Sequence, residues 1–237
     1  MPQVRFHKDW SILNCLSPVK EKHILIDLGA RNGWFFKCWS DVCPQAEIHA
    51  FEPDIVAFES LQTKHQYNEK IHISNQGVGA KSAVETFYHF SDSQVSSSFL
   101  KPDQKAWSGI HYETGELKES EVSIISLDDY CSSNGIQSVY IIKIDIQGYE
   151  LQALQGAINI LKDTSYLLVE SAIKPLYVGA ATFTEVHDFL SNRGFDLIDF
   201  RAWHRGNNVL IETDMLFRRK DLAPEIAMDG EHDRTYI

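Results

Sequence analysis

Short runs of β-branched and aliphatic residues alternate along the chain with longer stretches in which apolar residues recur at helical spacing. That rhythm predicts an α/β fold with a mainly parallel sheet. Strands are expected at 23–28, 47–52, 71–74, 139–145, 166–170, 195–200 and 209–217. Helices are expected at 33–42, closed by Pro44, at 54–67 with Asp54 as N-cap, at 149–162, and at 183–193, ended by Gly194. Phe35, Phe36 and Trp39, and later Phe183, Val186 and Leu190, fall at helical spacing and predict core contacts. The rhythm breaks in the middle. Residues 85–90 and 121–125 look like strands, but the stretch between them is rich in Ser, Gly, Lys and aromatics, so 91–120 is expected to be an insert or lid. The expected organisation is an N-terminal extension over 1–22, one main domain over 23–219 and a polar, acidic, loosely held tail over 220–237.

Composition narrows the function more than the fold. A chain of 237 residues can bury a sizeable core as one large domain. Its net charge of −11 disfavours a nucleic-acid backbone or an anionic membrane as partner, because no excess of Lys and Arg is present to release counterions. Cys15, Cys38, Cys43 and Cys131 form no CxxC pair and do not combine with His at zinc-like spacing, so reduced thiols are expected. Residues 1–22 lack an uninterrupted apolar signal core, and no apolar run reaches membrane-spanning length. The expected location is the cytoplasm; oligomeric state is not readable.

Candidate chemistry begins where the first strand ends. In Ile26-Asp27-Leu28-Gly29-Ala30-Arg31-Asn32-Gly33 a strand runs into a glycine-bearing turn and then a helix, so backbone N–H groups can approach a ligand beside the helix N-terminus. Glu52 closes the next strand. In a right-handed βαβ unit it shares an edge with Gly29, where a carboxylate can accept both hydroxyls of a ribose. Ala30 and Asn32 fill positions where a dinucleotide pyrophosphate wants glycine, which favours a nucleoside ligand without phosphates. S-adenosylmethionine fits, with its ribose at Glu52 and its ammonium at Asp27 and the turn carbonyls. The plain structural alternative, a tight strand-to-helix turn at Gly29 and Gly33, leaves Asp27 and Glu52 without a role.

A second strand ends in the same manner. Ile141-Ile142-Lys143-Ile144-Asp145-Ile146-Gln147-Gly148-Tyr149-Glu150 sets an aspartate in an apolar run, and burying it there without partners is costly. At the C-terminal end of a central parallel strand Asp145 instead faces the ligand crevice. Pairing with Lys143 is the competing reading, set aside on the expectation that neighbours in a strand point to opposite faces. Glu150 opens the next helix, where the dipole favours an acid.

Four blocks in order resemble the FkbM-type methyltransferases, which depend on S-adenosylmethionine. They are Ile26 to Gly33, Ala50-Phe51-Glu52-Pro53, Ser126-Leu127-Asp128-Asp129-Tyr130, and Lys143 to Glu150 followed by Leu154-Gln155-Gly156-Ala157. The resemblance spans about residues 23–200, with Arg31 where the family usually has Asn and Gln147 where Glu is frequent. It implies a Rossmann-like class I methyltransferase fold: a seven-stranded, mostly parallel sheet, an antiparallel last strand over 209–217, and helices on both faces. It also implies methyl transfer to a hydroxyl of a sugar or natural product. Asp27, Gly29 and Glu52 carry over as donor contacts within blocks that also hold Ala30, Asn32, Gly33 and Pro53, and the turn Asn75-Gln76-Gly77-Val78 is expected by the adenine.

A neutral hydroxyl is a poor nucleophile, so a base that takes its proton is expected to help. Asp145 and Glu170 end adjacent expected strands, and His204 follows in the loop after Phe200. Asp145, Glu170 and Asp214 converging on Mg²⁺ is an alternative to which no metal is assigned. The segment from Ser96 through Phe99, Trp107, His111 and Tyr112 is the candidate for acceptor recognition, with Trp107 tucked onto the body as the bland alternative. The acids of Leu127-Asp128-Asp129-Tyr130 are expected to open a short helix. A non-catalytic donor-binding partner protein and a nicotinamide-dependent oxidoreductase are the other function classes in play.

Overall fold

In a computed structural model, which describes residues 8–16, 21–90, 93–108, 115–204 and 209–221, the chain forms two sheets with helices packed around the larger. In chain order, β1 (His23–Leu28), α1 (Trp34–Val42), β2 (Ala46–Phe51), α2 (Ile55–His65) and β3 (Ile71–Ser74) build the first half. Next come β4 (Gly77–Val78), β5 (Ala83–Phe90), β6 (Ser93–Ser98), α3 (Gln104–Ser108), β7 (Leu117–Ile125) and α4 (Leu127–Ser133). Then β8 (Val139–Ile144), α5 (Glu150–Gln155), β9 (Thr164–Ala172), α6 (Phe183–Ser191), β10 (Phe195–His204) and β11 (Leu210–Arg219) complete the fold.

The seven-stranded sheet has the order β10-β11-β9-β8-β1-β2-β3. Pairings from β9 through β3 are parallel, and β11 runs antiparallel to both β9 and β10, as expected for the last strand. Central strands read as near-continuous apolar runs because helices cover both faces. Leu167, Val186, Leu190 and Phe195 belong to the core on one face, and Leu25, Phe36, Trp39 and Leu61 to the core on the other. Asp54 caps α2 by accepting from Ala57 N–H at 2.9 Å, and Ser126 caps α4 by accepting from Asp129 N–H at 3.1 Å.

Three expectations need revision. The helix expected over 149–162 stops at Gln155, because Gly156 lies against another backbone: a Cβ there would sit 2.0 Å from the Gly79 carbonyl oxygen. A 3₁₀ turn, Ile160–Asp163, then leads into β9. The strands expected at 85–90 and 121–125 pair with each other in a second sheet, β4-β7-β5-β6, which continues into the segment read from sequence as structureless. Its Ser-rich β6 shows no apolar alternation that would have announced a strand. Trp107 is buried with Phe90, Tyr177 and Ile211, so it packs on the body, whereas His111 and Tyr112 lie outside the described residues. The tail beyond residue 221 also lies outside them. Finally, residues read as an N-terminal extension include a 3₁₀ helix, Lys8–Cys15, whose Ile12 and Leu13 enter the core around Trp39.

Among the described residues no helix is long and apolar enough to cross a membrane. Leu13 is fully buried, so Leu13→Ala is expected to destabilise the fold by about 2–4 kcal/mol in urea unfolding. A loss below about 0.5 kcal/mol would mean that the N-terminal segment is not part of the core.

Candidate active site

Strands β1, β2 and β8 end side by side, and two turns meet there. After β1, Gly29, Arg31 and Gly33 all have positive φ, and after β8 so do Gln147 and Gly148. Gly29 is needed where the turns touch, since a Cβ would lie 2.0 Å from the Asp145 carbonyl oxygen. Gly29 N–H and Ala30 N–H both donate to the Phe51 carbonyl at 3.0 Å, which pins the first turn to β2. The gap left above the strand ends is a cavity of about 350 Å³. That volume lies at the small end of the range for ligand pockets.

Its wall contains Gly29, Ala30, Asn32, Glu52, Pro53, Gln76, Gly77, Val78, Asp145 and Glu170 from the residues expected at the site. Three others stand behind it. Gly33 makes room for Phe36 and Leu61 at the start of α1. Asn75 donates to the Glu52 and Pro53 carbonyls at 2.9 and 3.1 Å. Asp27, fully buried, lies 3.3 Å from the Nζ of Lys143, which is itself in the wall. His204 ends β10, and its side chain lies outside what the structure describes.

Glu52 is held by the backbone. Oε2 accepts from Arg31 N–H at 2.6 Å and Oε1 from Asp54 N–H at 2.9 Å, and each oxygen retains a lone pair beyond these bonds. Burial pushes its carboxyl up to about 7, against these two hydrogen bonds. Glu150 ties the second turn together, its Oε1 accepting from Ile146 N–H at 3.1 Å and Gly148 N–H at 2.9 Å. Burial raises it likewise to about 7.

Lys143, which sequence reasoning set aside, is central. Its Nζ donates to the Gly29 carbonyl at 2.9 Å and lies 3.3 Å from Asp27 Oδ1 and 3.4 Å from Asp145 Oδ2. The expectation that Lys143 and Asp145 face apart is therefore wrong: residues two apart in a strand share a face, and only immediate neighbours alternate. Lys143 also sits directly across from Asp27 in the β1–β8 register. The i to i+2 spacing was readable in the sequence, whereas the cross-strand pairing needed the sheet order.

The remaining acids sort by proton affinity. Burial opposes ionisation of Asp145, but the Lys143 charge and hydrogen bonds with Glu170, Gln147 and Lys143 hold its carboxyl below the usual range. Glu170 is pushed well above it by burial and by the negative charges of Asp145, Glu212 and Asp214. Gln147 bridges the pair, its Nε2 donating to Asp145 Oδ1 at 3.1 Å and to Glu170 Oε2 at 2.7 Å. Tyr177 O–H donates to the Ser96 carbonyl at 2.7 Å and lies 3.3 Å from Gln147 Oε1, and the two bonds to carboxyls set the amide orientation. The two shifts run in opposite directions, the division that two close acids in a low dielectric adopt. Among the described residues Asp145, Glu170 and Asp214 do not form a metal-ligating set. The convergence weighed for Mg²⁺ is thus not found, and Gln147 occupies the space between the first two.

This sheet order and this edge define a class I methyltransferase fold. Residues 27–197 match the Methyltransferase FkbM domain, and the chain belongs to that family of S-adenosylmethionine-dependent O-methyltransferases. It is 23% identical over 215 residues to the 2-O-methyltransferase NoeI of Sinorhizobium fredii, an overlap of 86% of this chain and 82% of that protein. It is 23% identical over 199 residues to the 31-O-demethyl-FK506 methyltransferase FkbM of Streptomyces tacrolimicus, covering 74% and 73% of the two chains. Among solved structures, the fibrillarin pre-rRNA processing protein of Methanococcus jannaschii shares the fold with a TM-score of 0.50 at 13% identity, over 91% of this chain and 77% of that one. Membership in a methyltransferase family removes the nicotinamide-dependent oxidoreductase from consideration.

Proposed function

We propose that the cavity above β1, β2 and β8 holds the methyl donor and the acceptor together, and that the protein methylates a hydroxyl of a sugar or natural product there. The observation that carries this reading is a pair of carboxyls bridged by Gln147, Asp145 held below the usual range and Glu170 pushed above it, in the wall of the same cavity as the Gly29 turn and Glu52.

The wall fits an uncharged nucleoside with a cationic tail. Glu52 offers its free lone pairs to a vicinal diol, and Gln76, Gly77 and Val78 with Phe99 make a narrow apolar side for a flat base. No glycine-lined cradle for phosphates exists beside Ala30 and Asn32. Bound there, S-adenosylmethionine supplies a methyl group on a positively charged sulfur.

The chain's own residues then do the rest. Asp145 accepts a hydrogen bond from the acceptor hydroxyl and so fixes which lone pair points at the methyl group. As the oxygen gains a carbon it becomes positive and strongly acidic, and a nearby carboxylate both stabilises that charge and takes the proton. Its low proton affinity is no handicap here, because the alkylated oxygen is far more acidic still. Lys143 keeps Asp145 ionised beforehand, and Gln147 keeps it aimed. Ser97 is in the same wall with a hydroxyl that makes no hydrogen bond within the described protein, and it suits a second acceptor hydroxyl.

Glu52→Gln is expected to weaken S-adenosylhomocysteine binding by about 1.5–3 kcal/mol in calorimetric titration, the scale of a lost charge-assisted hydrogen bond. Unchanged affinity would remove Glu52 from the donor site. Asp145→Asn is expected to lower kcat roughly 10²–10⁴-fold with a small change in donor affinity. Equal turnover by that variant would leave catalysis to positioning alone or to another base.

A further inference from the structure

Away from the cavity, on the outer strands of the large sheet, three candidate ligands meet. His49 on β2 and His72 on β3 are paired in register, their rings stacked at 4.7 Å, and Glu47 lies two residues before His49 on the same face. Glu47 Oε1 is 3.5 Å from His49 Nε2 and 3.3 Å from His72 Nε2. Ligand atoms held 2.0–2.1 Å from a tetrahedral zinc ion sit roughly 3.3–3.4 Å apart, so both distances match an edge of that tetrahedron.

His49 supplies an independent observation. Its ring is buried, yet Nε2 makes no hydrogen bond and has only Glu47 Oε1, at 3.5 Å, within reach, which is a costly arrangement for a buried polar atom. Nδ1 is engaged instead, 2.9 Å from the Tyr130 hydroxyl. A hydrogen bond to the far ring nitrogen fixes a metal-binding imidazole so that its other nitrogen points at the ion. Lys22 Nζ contacts the other oxygen of Glu47 at 2.7 Å and leaves Oε1 to the histidines. His72 is about half exposed, so its ring can turn toward an ion and the fourth position opens to solvent.

We propose that Glu47, His49 and His72 bind one divalent transition-metal ion of the zinc type, which clips β2 to the edge strand β3. Two imidazoles and one carboxylate select such an ion over Mg²⁺, which takes oxygen ligands. The clip acts on the strand that carries Glu52: Tyr130, which holds His49, also packs its ring on Phe51 at 4.6 Å.

The test is equilibrium dialysis of the full chain, first stripped with a chelator, against Zn²⁺ and separately Mg²⁺, with the melting temperature followed in parallel. The expected result is one saturable equivalent of Zn²⁺, none of Mg²⁺, and a melting temperature that rises with Zn²⁺. His72→Ala, at an exposed position that leaves the fold intact, is expected to lose that equivalent and the rise, and Tyr130→Phe to weaken it about tenfold. No saturable Zn²⁺ binding, or an equivalent that survives unchanged in His72→Ala, would overturn the proposal.

Discussion

A buried ammonium organises this molecule. Lys143 points from the middle of a parallel sheet into a space where water cannot hydrate it, and its charge is tolerable only because Asp27, Asp145 and the Gly29 carbonyl surround it. Burial alone would strip its proton, yet the two carboxylates reverse the balance and raise its pKa. Asp27 shows the other side of the same balance. It is shut off from solvent so completely that burial outweighs Lys143 and its own proton affinity rises. Removing the lysine would leave two acids with no counter-charge, a loss on the order of 3–5 kcal/mol in comparable buried pairs.

The active edge follows from that centre. Through Gly29 the ammonium grips the turn after β1, and through Asp145 it grips the start of the turn after β8, so one charge holds both walls of the cavity in register. The turns can press together only because Gly29 has no side chain. Beyond Asp145 the charge order continues outward: Lys143 lowers the proton affinity of Asp145 against burial, and burial together with Asp145, Glu212 and Asp214 raises that of Glu170. A neutral amide at Gln147 suits that pattern. It donates to both acids, whereas a third carboxylate there would have to bind a proton or a cation of its own.

Much of this was legible before any coordinates. Strand ends carrying Gly29, Glu52 and Asp145 sit where a doubly wound sheet puts its ligands, and the apolar runs and caps that fix those ends are local signals. What was not legible depends on distant pairing. Lys143 looked like a bystander until β8 was placed beside β1, opposite Asp27. Asp27, read from sequence as a ligand contact, also lies 3.3 Å from the lysine, a partner that only the sheet register supplies. In the second sheet β5 and β7 were legible, but β6 was hidden because it is serine-rich and nothing in its apolar pattern marks it. His49 and His72 are 23 residues apart with no motif between them, and the β2–β3 register alone makes them neighbours.

The account stands on a proton being held by Glu170 while Asp145 stays ionised. Difference infrared spectroscopy, the native protein minus its Glu170→Gln variant at neutral pH, reads this directly, because carboxyls common to both, Asp27, Glu52 and Glu150 among them, cancel. The prediction is a protonated-carboxyl band in that difference. A difference with no such band, and with an ionised-carboxylate band in its place, would contradict the shared-proton pair and with it the state assigned to Asp145.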